Sequence, residues 1–199
     1  MVTGLMIFIS FLSGSLPFSV WLTRIFLGKN VRDYGDGNPG AANVFKAGNN
    51  FVGLLVLILD ISKAALPVGI SYFNLQIRGF PMFMIATAPI LGHMFSPFLA
   101  FKGGKAIAAT LGVWIGLTIW KTTVPAVITV IICIIFLNSS GWSVIFAMIA
   151  ILFTLILWSP TALFFLIWFT TTFLLAWTHR KELKQPPLFR NWVSKYLKR

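Results

Sequence analysis

Seven stretches of the chain are almost continuously apolar, with short polar segments between them. They cover residues 5–25, 51–72, 80–101, 106–120, 124–137, 142–158 and 161–177. An α-helix rises 1.5 Å per residue, so crossing about 30 Å of hydrocarbon takes ~20 residues. The first three stretches reach that length. The later ones are shorter, which points to helices that tilt, break or end in a cavity. Pro17 interrupts the first stretch, Pro89, His93 and Pro97 interrupt the third, and Asp60 and Lys63 lie inside the second. The pattern predicts an all-α, polytopic transmembrane bundle of about seven spans. Residues 1–178 read as one transmembrane domain and residues 179–199 as a basic tail. Leu188, Phe189, Trp192, Val193, Tyr196 and Leu197 are interspersed in that tail. They suit an amphipathic segment on anionic headgroups, and equally a solvated tail that only fixes topology.

Composition agrees and adds an orientation. The chain is 58% hydrophobic and 10% charged, whereas a soluble domain carries about a quarter charged residues. Sixteen Lys and Arg against four Asp and Glu give a net charge of +12. In a soluble protein this would suggest nucleic acid; in a lipid-facing chain it reflects the positive-inside rule and attraction to anionic lipids or substrates. With seven spans, one side carries thirteen of these cations: Arg24, Lys29, Arg32, Lys46, Lys102, Lys105 and the seven of the tail. The other side carries only Arg78 and Lys121, and Lys63 stays in the membrane. The N-terminus is therefore expected outside and the tail in the cytoplasm. Cys133, the single cysteine, lies in an apolar run and excludes a disulfide framework. The first apolar stretch lacks a basic leader and reads as a span rather than a cleavable signal.

Two connections on the basic side could carry chemistry. One runs Gly35-Asp36-Gly37-Asn38-Pro39-Gly40-Ala41-Ala42-Asn43. Its glycines allow backbone N–H groups to approach an anion without side-chain obstruction, and a helix starting near Pro39 would add its own. A plain glycine-rich turn is the competing reading. The other, Phe101-Lys102-Gly103-Gly104-Lys105, brackets a glycine pair with two cations just after His93 and Pro97. Lysines at helix ends also snorkel to headgroups without binding anything. Neither is a P-loop, since Ala106 follows Lys105. Asp60 and Lys63, three apart, share a helix face and suit a structural ion pair as well as a site role. His93 and His179 have no cysteine or carboxylate neighbours that would make a metal site, so no metal or cofactor is expected.

Taken in order, four blocks carry a resemblance: Gly14-Ser15-x-Pro17-Phe18, residues 35–43, Asp60-x-x-Lys63, and Gly92-His93-Met94-Phe95-x-Pro97-Phe98-x-x-Phe101-Lys102-Gly103-Gly104-Lys105. Together they resemble the bacterial membrane acyltransferases that move a fatty acyl group from acyl phosphate to glycerol 3-phosphate (the PlsY type). The similarity runs from the first span to His179. It implies attack of the 1-hydroxyl of glycerol 3-phosphate on an acyl phosphate at the cytoplasmic face. The products are lysophosphatidic acid and phosphate, and the protein acts as a monomer among membrane lipids. It assigns catalysis to Lys105, His93 and His179. Substrate binding falls to Gly35, Asp36, Gly37, Asn38, Gly40, Asn43, Lys46, Lys102, Gly103 and Gly104. An acyl phosphate is already activated, so the protein's part is chiefly to hold two phosphates and the chain in register.

The chain departs from the family pattern at Asp36 for serine, Ala42 for threonine, Lys46 for arginine and Glu182 for asparagine. Asp36 adds like charge where phosphate would sit, unless a cation such as Lys46 or Arg32 neutralises it. A second reading therefore stands beside the enzyme: a non-catalytic or transport-type membrane protein on the same scaffold, or an acyltransferase with another acceptor.

Overall fold

Pro17 divides the first apolar stretch into two helices, α1 (Val2–Ser15) and α2 (Phe18–Leu27), with Leu16 extended between them. A proline has no N–H for the carbonyl four residues back. The Ser13 carbonyl takes the Leu16 N–H instead, at 3.2 Å. The computed structural model describes residues 1–158 and 161–192. It divides into two compact units, Met1–Leu117 and Thr118–Arg199.

In the first unit, α3 (Ala41–Lys46) follows α2 after a polar loop, and α4 (Asn50–Gly69) runs on into a π-helical turn, Ile70–Asn74. The Asn49 side chain caps α4 by accepting the Val52 N–H at 3.0 Å. Next come α5 (Gly79–Met94) and α6 (Ile107–Thr118). Helices α1 and α5 meet through glycine: a Cβ at Gly14 would fall 2.2 Å from the Pro89 carbonyl oxygen, and one at Gly92 would fall 2.2 Å from that of Phe11. The α4–α6 seam repeats the device, because a Cβ at Gly112 would lie 2.2 Å from the Ile61 carbonyl. Without a hydrophobic drive between helices in lipid, such close backbone approach supplies the packing. Val31, Val44, Val52 and Val56 form a buried cluster that fixes α3 and the loop before it against α4.

In the second unit, α7 (Thr123–Phe136), α8 (Ser140–Trp158) and α9 (Ala162–Thr178) pack in sequence, followed by the single turn α10 (Arg180–Leu183). Trp168 donates its indole N–H to the Met148 carbonyl at 2.7 Å. The Asn138 N–H bonds the Leu188 carbonyl and the Arg190 N–H bonds that of Phe136, each at 2.9 Å. The middle of the basic tail, at Leu188 and Arg190, is thus tied to the α7–α8 turn. The part of the amphipathic-tail expectation that rests on residues 193–199 lies outside the described residues.

The all-helical expectation holds: among the described residues the only β-type pairing is an isolated bridge between Leu137 and Phe189. Helices occupy all seven apolar stretches. Among the described residues, four segments have the length and apolarity to cross a membrane: Val2–Leu27, Asn50–Asn74, Gly79–Leu99 and Ser140–Trp158. At 12 residues, α6 is only about 18 Å long. Large apolar side chains such as Phe8, Ile58, Phe153 and Phe169 point outward, as lipid-facing surfaces do.

Candidate functional site

The two proline breaks leave backbone carbonyls without helical partners, and the site is assembled from the groups that satisfy them. In α5 the natural donor to the His93 carbonyl would be residue 97, which is proline and has no N–H. The Gly104 N–H fills that place at 3.0 Å, and the Gly103 N–H bonds the Met94 carbonyl at 3.0 Å. These bonds pull the lysine loop down onto the end of α5. The approach leaves no room for side chains: a Cβ at Gly103 would lie 1.9 Å from the His93 oxygen, and one at Gly104 would lie 2.4 Å from His93 Nε2. At the α1–α2 break the Ser96 hydroxyl donates to the Ser15 carbonyl at 2.6 Å, and Lys63 Nζ donates to the Leu16 carbonyl at 2.7 Å. Lys63 also pairs with Asp60 at 2.6 Å, and the Ser13 hydroxyl bonds the Lys63 carbonyl at 2.7 Å.

Between these elements lies a small pocket, whose polar wall is Ser15, Ser19, Asp60, Lys63, His93 and Ser96. Pro39 and Gly104 also line it, so it reaches both basic-side loops. Asp60 and Lys63 are therefore part of the pocket as well as an ion pair. Sequence reasoning missed Ser15, Ser19 and Ser96. The signal for Ser15 and Ser96 was available: each lies within two residues of a helix-breaking proline, where a carbonyl must find a new donor.

Above the pocket the two loops are stitched together. Asp36 Oδ2 meets Lys105 Nζ at 2.6 Å. Asp36 Oδ1 accepts the Asn43 amide at 2.8 Å and the Asn38 N–H at 3.3 Å. Asn38 Oδ1 accepts the Lys105 N–H at 3.0 Å, and Asn43 also donates to the Asn38 carbonyl at 2.9 Å. The Arg32 guanidinium donates to the Lys102 carbonyl. Partial burial pushes the Asp36 carboxyl up, but the Lys105 ammonium, the Asn43 amide and the Asn38 N–H outweigh it and hold the group down to about 2. Asp36 is therefore ionised at neutral pH. The cation that meets it is Lys105, rather than Lys46 or Arg32.

Gly35 and Gly37 have φ of 60° and 73°, the left-handed conformation that favours glycine. The Lys46 ammonium approaches Gly35 so closely that a Cβ there would be 2.9 Å from Nζ. The helix expected near Pro39 begins at Ala41, with Gly40 as its N-cap. Several N–H groups of the loop close turns: that of Gly37 bonds the Tyr34 carbonyl and that of Gly40 the Asn38 carbonyl. Ala100, Phe101 and Ala106 all take φ between 50° and 63°, so the lysine loop is flanked by left-handed non-glycine residues, a conformation that costs about 1–3 kcal/mol each.

Every candidate catalytic or substrate-binding residue named from the sequence lies in the first unit except His179. The buried His179 ends α9 in the second unit, its Nδ1 2.8 Å from the Leu175 carbonyl. In that unit Glu182 accepts the Ser140 hydroxyl and the Gly141 N–H, both at 2.6 Å, and so caps the first turn of α8.

The family model described as glycerol-3-phosphate acyltransferase matches residues 4–186. A glycerol-3-phosphate acyltransferase of Pelagibacter ubique is 35% identical over 178 residues, covering 88% of this chain and 89% of its own length. One from Lactococcus lactis is 34% identical, covering 91% of this chain and 88% of its own. Among solved structures, PlsY, an integral membrane glycerol 3-phosphate acyltransferase in its glycerol 3-phosphate form, superposes with a TM-score of 0.85. The two are 25% identical, over 92% of this chain and 91% of that one.

Proposed function

Since the chain belongs to the glycerol-3-phosphate acyltransferase family, we propose that it is a membrane acyltransferase that acylates the 1-hydroxyl of glycerol 3-phosphate from an acyl phosphate. The hydroxyl oxygen bonds to the acyl carbon, the bond from that carbon to the phosphate oxygen breaks, and inorganic phosphate leaves. The hydroxyl proton ends on a phosphate oxygen. The observation that carries the proposal is the junction of the two glycine loops over a polar pocket bounded by His93, Asp60 and Lys63.

Each residue has a part that its position supports. Lys102, Lys105 and Lys46 supply positive charge at the mouth, where phosphates must be neutralised and where preorganised donors lower the barrier most. The backbone of Gly103 and Gly104 fixes Lys102 and Lys105 against α5. The carboxamides of Asn38 and Asn43 hold the facing loop. His93, beneath Gly104, orients the substrate phosphate at the pocket wall. Residues 1–178 make up the transmembrane domain and 179–199 a cytoplasmic tail. The thirteen-to-two cation split supports an external N-terminus, seven spans and a site open to the cytoplasm.

The test is purified protein in detergent or nanodiscs with labelled acyl phosphate, with and without glycerol 3-phosphate. Labelled lysophosphatidic acid and stoichiometric phosphate, formed only when both substrates are present, are the expected products. Release of phosphate without acyl transfer, or no reaction at all, would overturn the proposal.

A further inference from the structure

We propose that Asp36 is a built-in competitor for the substrate phosphate: its carboxylate occupies Lys105 in the resting protein, and a phosphate is held there only by displacing it. The inference rests on the acyl-transfer reading and adds a determinant of acceptor affinity to it. Three donors converge on the carboxylate: an ammonium at 2.6 Å, an amide at 2.8 Å and a backbone N–H at 3.3 Å. These are the donor types that would bind a phosphate oxygen. The occupant is a residue of the chain itself.

The contact is built to exchange. The Asp36 side chain is 49% exposed and that of Lys105 21%, so a water-borne anion can reach both. The Lys105 backbone is anchored separately through its N–H to Asn38 Oδ1, which lets the ammonium change partners without moving its loop. Arg32 and Lys46 do not relieve the competition: the Arg32 guanidinium is spent on the Lys102 carbonyl, and the Lys46 ammonium lies against Gly35. A ligand whose partner is engaged elsewhere for most of the time binds with an affinity reduced by the fraction of time the partner is available. Removing the carboxylate should return that factor.

Asp36→Asn and Asp36→Ser test this in two readouts. In steady-state acyl transfer, both variants should lower KM for glycerol 3-phosphate by about tenfold or more, equal to about 1.4 kcal/mol. In calorimetric titration with inorganic phosphate, both should bind more tightly than the native chain. If Asp36 instead positions Lys105 for the chemistry, kcat falls and KM stays, which overturns the proposal. Unchanged or weaker phosphate binding in both variants overturns it as well. The phosphate titration needs no turnover. If no chain transfers an acyl group, the acyl-transfer reading fails, and the titration still decides the role of Asp36.

Discussion

Gly103→Ala should disable the site while leaving the helices in place. The new methyl carbon would lie 1.9 Å from the His93 carbonyl oxygen and 2.7 Å from that of Met94. Carbon settles against a carbonyl oxygen at about 3.3 Å, so the loop must retreat by about 1.4 Å. Both atoms to be avoided are backbone at the end of a packed helix, so no rotamer change relieves the clash. A retreat of that size stretches the two 3.0 Å bonds that hold the loop, Gly103 N–H to Met94 and Gly104 N–H to His93, past hydrogen-bonding range. Leaving two inward carbonyls unpaired costs about 1–3 kcal/mol each. Lys105 moves with the loop, and a misplacement of about 1 Å is worth on the order of 10²-fold in rate. The assay is kcat/KM for acyl transfer alongside thermal unfolding in detergent. Gly4→Ala serves as the control, since a Cβ there meets nothing within 4 Å. A Gly103→Ala protein with native unfolding temperature and kcat/KM within about threefold of native would refute the reasoning.

Other substitutions probe the remaining parts of the structure. Gly104→Ala meets the His93 ring at 2.4 Å, so combining it with His93→Ala should recover stability; a purely additive double-mutant cycle would contradict the contact. Lys63→Met strands the buried Asp60 carboxylate and uncaps the Leu16 carbonyl, for a loss of about 3–5 kcal/mol. Adding Asp60→Asn should restore most of that loss in a melting experiment. Glu182→Ala removes the cap from α8 at about 0.5–2 kcal/mol, seen as faster amide exchange at Gly141, and unchanged exchange there would remove its capping role. Single cysteines at Asn38 and Trp192 should label from the cytoplasmic side and one at Gln76 from outside. Labelling of Asn38 and Gln76 from the same side would defeat the seven-span arrangement.

The apolar stretches were legible because lipid-facing helices are written as runs of hydrophobic residues, and Pro17 and Pro97 marked where the runs would break. What each break would expose was not legible. The groups that cap the freed carbonyls come from distant parts of the chain: Lys63 for Leu16, Ser96 for Ser15, Gly104 for His93. The glycine pair at 103–104 could be suspected of a close approach, but its target, the end of α5, emerges only when the loop folds back. The partner of Asp36 illustrates the same limit. The nearby cations Arg32 and Lys46 were the natural candidates, whereas the observed one, Lys105, lies 69 residues away. Sequence proximity favours local pairing, and loop-closure entropy grows too slowly with length to forbid distant pairing.

The ion pair inside α4 also bears on how the protein is made. An unpaired Asp or Lys at the centre of an inserting helix costs about 2.5–3.5 kcal/mol each at the translocon, and two would count heavily against insertion of this segment. Asp60 and Lys63 lie one turn apart and meet at 2.6 Å within their own helix. The segment can therefore enter the bilayer already neutralised, without waiting for a partner helix to supply a counter-charge. Pairing across helices would instead have tied the membrane entry of α4 to the arrival of another segment. The bonds from Lys63 to the Leu16 carbonyl and from Ser13 to the Lys63 carbonyl form afterwards, at the kink between α1 and α2. The α1–α2 segment precedes α4 in the chain, so the N-terminal half of the site can assemble in the order in which it is synthesised.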